Sequence, residues 1–293
     1  VTAPLRYAYY PGCSLHSTAR EYDTSTRAVA RALGLSLEEV PDWTCCGASS
    51  AHVTDPFLGF ALPARTLAQA SDMGLDLVAP CAACYGRLVA ARAEAGRHPD
   101  FVKRFERATG RRPAFSGRIL NVIELFAEPA VAATLKERVK RPLEGLKVAP
   151  YYGCLLVRPP KVTGFDDPER PVAMDRLLES LGATPVDFAF KTECCGASLG
   201  ISRKELVVEL AGRILRAAKR AGAEAVAVVC PLCHTNLDGR QEAAAASHGE
   251  PLGLPVYYVT ELVGLALGLE PAALGLGKHL TDALGLLRQK KLA

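Results

Sequence analysis

The sequence predicts an α/β protein of two similar halves related by internal duplication, each a small parallel sheet flanked by helices. Three observations predict it. Ten cysteines form one five-cysteine pattern written twice: Cys13, Cys45-Cys46, Cys81 and Cys84, then Cys154, Cys194-Cys195, Cys230 and Cys233. The stretch between the adjacent pair and the closing Cys-x-x-Cys is 47–80 in one copy and 196–229 in the other, 34 residues each, and both pairs continue into Gly-Ala-Ser. Finally, each half reads as strand, helix, strand, helix, strand in the same order, with its outer cysteines just after strand ends.

In the first half, Tyr7–Tyr10 is a short strand ending at Pro11-Gly12-Cys13. Asp23 or Thr24 can cap a helix running through Leu33 and stopped at Gly34. Leu37–Val40 leads to the Cys45-Cys46-Gly47 turn. A helix from Pro56 to about Met73 ends at Gly74, and Leu75–Ala79 is a strand ending at Pro80-Cys81, with a helix onward from Cys84. The second half repeats this order. Leu146–Tyr152 is a strand, Met174 to Leu181 has helical spacing, and Thr184–Phe188 is a strand before Cys194-Cys195. Val207, Leu210, Ile214 and Ala218 share a helix face, and Ala225–Val229 is a buried-type strand ending at Cys230. The segment 128–145 joins the halves as a helix flanked by Pro129 and Pro142, and Arg158–Pro171 is a loop beside the second cysteine set. In the tail, Tyr257–Leu269 and His279–Leu287 read as helices.

At 293 residues the chain is long for one core and comfortable for two domains. Composition is that of an ordinary globular protein, 49% apolar and 23% charged, and a net charge of +4 with dispersed basic residues argues against nucleic acid. No apolar run approaches the roughly 18 residues that span a bilayer, and no signal peptide is visible at the N-terminus. The expected location is cytoplasmic, with membrane attachment only through partner proteins. In a reducing compartment ten cysteines point to metal or redox chemistry rather than structural disulfides.

Three readings of the cysteines compete. Five disulfides would use all ten, but adjacent cysteines seldom bond without strain, and the compartment disfavours them. A four-cysteine zinc site in each half would strand one thiolate per half. Iron–sulfur ligation draws thiolates from several segments, and five per half exceeds what a cubane needs. Adjacent cysteines suit a larger or more open cluster. Gly12, Gly47, Gly153 and Gly196 beside the ligands let backbone approach an inorganic core. Cys81 and Cys230 open helices, where the helix N-terminus favours a thiolate.

The chain resembles the B subunit of heterodisulfide reductase, within the wider family of paired CCG, or cysteine-rich, domains. The resemblance lies in Tyr10-Pro11-Gly12-Cys13, Cys45-Cys46-Gly47, Pro80-Cys81-Ala82-Ala83-Cys84, Tyr152-Gly153-Cys154, Arg158-Pro159-Pro160, Lys191-Thr192-Glu193-Cys194-Cys195-Gly196-Ala197 and Cys230-Pro231-Leu232-Cys233-His234-Thr235-Asn236-Leu237-Asp238. Tyr257-Tyr258-Val259-Thr260-Glu261-Leu262 matches as well, so nearly the whole chain, about 5–268, is covered. The resemblance implies two Rossmann-like CCG domains, 1–145 and 146–293, the second carrying C-terminal helices.

It further implies two facing noncubane [4Fe-4S] clusters. Cys13, Cys45, Cys46, Cys81 and Cys84 would hold one, and Cys154, Cys194, Cys195, Cys230 and Cys233 the other. In the methanogen enzyme such clusters split the disulfide of coenzyme M and coenzyme B. An oxidoreductase reducing a disulfide, or running the reverse, is therefore expected. The alternative is an iron–sulfur electron-transfer component of a quinone-linked succinate dehydrogenase-like or hydroxy-acid oxidase complex without a disulfide substrate. Expected partners are the ferredoxin-like (C-type) and flavoprotein (A-type) components of a heterodisulfide reductase. The chain has no Gly-x-Gly-x-x-Gly signature, so flavin or NAD would sit elsewhere. Polar neighbours expected to assist the clusters are His16, Arg158, Lys191 and His234. For His16 the competing reading is a surface or helix-capping histidine. For His234 the assisting role is a hydrogen bond to a ligand. For Arg158 and Lys191 ordinary salt bridges compete with attraction of an anionic substrate. Trp43 and Tyr151-Tyr152 read as core packing before pocket lining, and Asp166-Asp167 as solvated loop charge.

Overall fold

The computed structural model describes residues 4–48 and 50–293; Ser49, which ends the first Gly-Ala-Ser, lies outside them. Strands β1 (Leu5–Tyr9), β2 (Leu35–Glu39), β3 (Leu77–Val78) and β4 (Ile119–Leu120) form one sheet in the order β2-β1-β3-β4. Strands β5 (Lys147–Pro150), β6 (Thr184–Pro185), β7 (Ala225–Val228) and β8 (Val256–Tyr258) form the second in the matching order β6-β5-β7-β8. All pairings are parallel; Tyr7 faces Leu37 and Ala8 faces Leu77 in one sheet, Val148 faces Ala225 and Ala227 faces Tyr257 in the other.

Parallel neighbours need crossover connections, and helices supply them. In the first half these are α1 (Arg20–Leu33), the helix Pro56–Ser71 and α2 (Ala82–Arg97), and α3 (Val122–Ala127) follows β4. In the second they are α4 (Ala173–Ser180), the helix Lys204–Arg220 and α5 (Pro231–Gly239), and α6 (Val259–Ala266) follows β8. Helices on the faces bury the strands, which explains why β7 reads Ala-Val-Ala-Val with no polar alternation.

Each half has four strands where the sequence predicts three. β4 is two residues long, too short to carry a period. β8 takes the first part of the segment expected to be helical, because Val256, Tyr257 and Tyr258 are fully buried against β7 and the helix begins only at Val259. The strand expected at Thr184–Phe188 shortens to Thr184–Pro185, and the chain then turns away to Phe190, whose φ is 73°. Helix α1 begins at Arg20, a turn before the expected cap. Asp23 lies inside it, accepting from the Tyr9 hydroxyl at 2.8 Å and pairing with Arg27 at 2.9 Å. The last helix is Ala283–Gln289, capped by Asp282, because His279 is committed to a buried pair with Glu261 at 2.9 Å. As expected, the joining segment holds a proline-started helix, Pro129–Arg138.

The halves are packed by exchange. Helix α1 of the first lies on α6 of the second, and α4 of the second lies on α3 of the first. In each case a helix leaving the first strand of one half covers the helix leaving the last strand of the other, so the two sheets are related by an approximate two-fold. At the α1–α6 seam Tyr22 stacks on Tyr258 with ring centres 4.1 Å apart and planes 8° from parallel, and Ser25 Oγ meets Thr260 Oγ1 at 2.7 Å.

Candidate metal centre

In an open parallel sheet ligands gather at the carboxyl ends of the strands, where the strand order reverses. In the first sheet that place lies between β1 and β3, and in the second between β5 and β7. Cys13 follows β1 and Cys81 follows β3; Cys154 follows β5 and Cys230 follows β7. The adjacent pairs arrive from the turns after β2 and β6, and Cys84 and Cys233 from the first turns of α2 and α5.

Within each set the thiols meet in pairs. Cys45 Sγ lies 3.6 Å from Cys13 Sγ, and Cys46 Sγ lies 3.4 Å from Cys84 Sγ. In the second set Cys195 and Cys233 are 3.5 Å apart, and Cys154 lies near enough to Cys194 to shift its ionisation. Among the described residues no three His, Cys, Asp or Glu side chains close on one point as ligands of a single ion do. Cys46, Cys81, Cys84, Cys195, Cys230 and Cys233 are buried, Cys154 is half-buried, and Cys13, Cys45 and Cys194 are exposed. Both sets therefore run from the interior to an open edge.

The innermost members join the sets. Cys81 and Cys230 cap the N-termini of α2 and α5, close enough that each shifts the ionisation of the other. Ala82 N–H donates to Val229 O at 3.1 Å across the same junction. The Tyr22 hydroxyl donates to Pro80 O at 2.9 Å and reaches Val229 O at 3.3 Å. One buried hydroxyl thus ties the residues preceding both inner cysteines.

Shared protons divide each set. Hydrogen bonds from Cys13, then Cys46, push the Cys45 thiol down to about 2, while Cys13 is raised by the same contact. Cys194 is pushed down to about 6 by Cys154, helped by the N–H groups of Gly196 and Ala197, and Cys154 is raised. Cys230 is held well below the usual thiol range by Cys233, then Cys81, with N–H groups of its own helix adding. The helix N-terminus was expected to lower Cys81 as well. Its thiol is instead raised, first by the hydrogen bond with Cys230 and then by burial. Each set thus pairs a thiol whose ionisation is favoured with neighbours whose ionisation is disfavoured, and the ionised form is the one that bonds metal.

The iron–sulfur group implied by the resemblance fits this donor set. The convergent side chains are thiols, and two glycines leave room beside them. Gly12 and Gly153 have φ of 68° and 66°, and a Cβ there would stand 3.0 Å from Cys84 Sγ and 3.3 Å from Cys233 Sγ. Backbone N–H groups also point at sulfur, Gly47 to Cys45 at 3.4 Å and Gly196 to Cys194 at 3.3 Å.

The four polar candidates are placed differently from one another. His16 pairs with Glu39 at 3.2 Å and packs its edge on Trp43. Arg158 donates to Thr192 O at 2.8 Å and pairs with Glu169, which steadies the approach to Cys194. Lys191 is buried between Asp187 at 2.9 Å and Asp175 at 3.5 Å, on the wall of a cleft of about 710 Å3 beside the second adjacent pair. His234 is buried with Nε2 3.0 Å from Val256 O and its ring stacked on Tyr258, and burial pushes it down to about 4. Asp166 and Asp167 accept backbone N–H groups and shape their loop.

Sequence reasoning missed the hydrogen-bonding role of two tyrosines, one of which, Tyr151, it read as core packing. The hydroxyls of Tyr10 and Tyr151 donate at 2.7 Å to Thr44 O and Glu193 O, the carbonyls just before the adjacent pairs. The signal was present, since each tyrosine stands three residues before the first cysteine of its set.

A family model described as "Cysteine-rich domain", named CCG, matches residues 7–89 and again 148–238, more than half of the chain. The chain is 34% identical to the 8-methylmenaquinol:fumarate reductase membrane anchor subunit of Wolinella succinogenes, over 94% of this chain and 97% of that one. It is 28% identical to the B subunit of the Ferredoxin/F(420)H(2)-dependent CoB-CoM heterodisulfide reductase of Methanosarcina acetivorans, over 94% and 93%. Against the B subunit of the Ferredoxin:CoB-CoM heterodisulfide reductase of Methanosarcina mazei the identity is 29%, with the same coverage. These relatives are named as components of redox complexes. No helix among the described residues is long and apolar enough to cross a membrane. A crystal structure of a hypothetical protein from Helicobacter pylori shares the fold, with a TM-score of 0.76 at 12% identity over 96% of this chain; the chain spans 52% of that protein. With both copies of the domain and both five-cysteine sets present, the chain belongs to the CCG cysteine-rich domain family.

Proposed function

We propose that this chain is the B-type component of a heterodisulfide reductase-type complex. In this reading Cys13, Cys45, Cys46, Cys81 and Cys84 hold one noncubane [4Fe-4S] cluster, and Cys154, Cys194, Cys195, Cys230 and Cys233 hold the other. The observation that carries the reading is the backbone junction beside Cys81 and Cys230, where Ala82 N–H meets Val229 O and the Tyr22 hydroxyl bridges Pro80 O and Val229 O. Bound clusters supply one-electron steps, and two side by side match the two electrons that open a disulfide. The chain's own residues provide the geometry. Cys81, Cys230 and the Tyr22 hydroxyl fix the separation of the sets. Cys13, Cys45 and Cys194 stand at the open edge, where a small disulfide or its thiols would enter. Arg158 and Lys191 are already paired, so their part is to hold the 191–193 segment rather than to attract an anion. His16 and His234 serve the sites through Trp43 and Tyr258. The ferredoxin-like (C-type) and flavoprotein (A-type) components are the partners that suit this role, in the cytoplasm.

A second reading has its own support. The Wolinella relative is named for a menaquinol:fumarate reductase, which favours quinone-linked electron transfer with no disulfide substrate. Anaerobically prepared protein separates the two. Iron analysis is expected to give about eight irons, two clusters' worth. Titration with a disulfide is expected to change the electron paramagnetic resonance signal, whereas on the second reading only a menaquinone analogue does. Two irons or fewer, or one zinc per half, would sink both.

A further inference from the structure

The two thiol sets repeat nearly contact for contact. The glycine N–H to sulfur distances are 3.4 and 3.3 Å, and the inner thiol pairs are 3.4 and 3.5 Å apart. Both tyrosine hydroxyls donate at 2.7 Å. These matched contacts do not distinguish the two centres; a difference has to come from elsewhere.

Among the departures from the repeat, one puts a side-chain donor on a cysteine sulfur; it lies three residues beyond the last cysteine of each set. On α2 this is Arg87, whose guanidinium donates to Ala48 O at 3.0 Å and meets His52 Nδ1 at 2.7 Å. On α5 it is Asn236, only 4% exposed. Its Nδ2 donates to Cys195 O at 3.1 Å and lies 3.6 Å from Cys195 Sγ. Helical spacing puts both residues over their adjacent pair, but only the shorter one delivers an N–H to a ligand sulfur.

We propose that Asn236 tunes the second centre: its N–H on the Cys195 sulfur raises that centre's reduction potential, through a contact the first centre lacks. The inference rests on the iron–sulfur reading above. A hydrogen bond to a thiolate ligand withdraws charge from it and stabilises the reduced, more negative state. Burial strengthens the effect, because little water competes for the sulfur. Arg87 acts on the first centre only as a half-exposed charge, which solvent and salt weaken. The two centres are therefore inequivalent carriers although their ligands are the same. Asn236 is a positioning residue in this scheme, acting through Cys195.

The test is a redox titration of anaerobically prepared full-length protein, followed by electron paramagnetic resonance. Asn236→Leu keeps the branched shape and removes the donor. It is expected to retain its full iron content and to show a negative shift of one midpoint, with the other unmoved. Full iron with neither midpoint moved, or with both moved alike, overturns the inference and leaves the iron–sulfur reading intact; wild-type protein without iron overturns both. Should the leucine variant lose iron, unaltered protein carrying 15N-asparagine decides. Asn121, the one other asparagine, donates to Ala79 O at 3.2 Å and Pro80 O at 2.8 Å rather than to sulfur. Pulsed resonance is expected to find a 15N coupling in one centre, and its absence from both overturns the proposal.

Discussion

Gly12 has two independent reasons to be glycine. Its φ of 68° disfavours any side chain, and a Cβ would stand 3.0 Å from the Cys84 sulfur. Left-handed backbone costs a non-glycine residue roughly 1–2 kcal/mol. The crowding adds to this, because Cys84 is buried and shares a hydrogen bond with Cys46. Gly12→Ala is therefore expected to lower stability by about 2 kcal/mol and to displace one ligand of the first set. Iron analysis should show that half depleted, with the second half keeping its complement. Gly153→Ala meets the same backbone cost but a looser 3.3 Å contact with Cys233, so its iron loss should be smaller. Equal, complete iron in the Gly12→Ala protein would contradict this account. The thiols themselves were legible in the sequence because type and spacing repeat. The role of the tyrosines was not legible: Tyr10 stands only within a motif and Tyr151 reads as core packing, because a Tyr at a strand end looks like core until its hydroxyl partner is known.

The elements divide by length. β1 and β7 lie close to their expected places because β7 is buried throughout and β1 over Tyr7–Tyr9, runs long enough to recognise. β4 is two residues, and its place in the sheet comes from pairing with β3, a tertiary fact. β8 was hidden because Tyr257-Tyr258-Val259 continues into a helix without a break in hydrophobicity. The signal that separates them is the capping box: Glu261 accepts from Tyr258 N–H at 2.8 Å, as Glu124 accepts from Asn121 N–H at 2.8 Å after β4. These matching caps mark matching strand ends. Asn121 is fully buried, caps α3 through Ile123 N–H at 3.2 Å, and donates to the two carbonyls before Cys81. Asn121→Ala removes the cap, about 1 kcal/mol, and takes a donor from buried Ala79 O, about 1–3 kcal/mol more, while Pro80 O keeps the Tyr22 hydroxyl. A loss of roughly 2–4 kcal/mol is expected in urea unfolding, with the midpoint lowered and the slope unchanged. A change below about 0.5 kcal/mol would mean the cap and the carbonyl contacts are dispensable.

At the scale of the whole chain, the duplication is more than two domains in series. A string of independent units would bury each core within itself, yet α1 is covered by α6 and α4 by α3. Tyr22 and Val29 on α1, Tyr258 at the end of β8, and Leu262 and Val263 on α6 are all fully buried. Exposing side chains of this size costs about 1.5–3 kcal/mol each, so opening the seam costs on the order of 10 kcal/mol. That is comparable to the entire stability of a typical domain, about 5–15 kcal/mol. The fragments 1–145 and 146–293 are therefore expected to fail as separate proteins: each alone should aggregate or melt without cooperativity. Expressed together they should pair into a complex of full-length mass in gel filtration, because the seam is complementary. Two separately soluble, cooperatively melting fragments would refute the exchange of cover. The same exchange explains why the thiol sets meet at all. Covering each half with a helix of the other brings the ends of β3 and β7 together, and with them Cys81 and Cys230. If the reconstituted complex binds iron while neither fragment does, the inner cysteines of both halves need the seam to reach their positions.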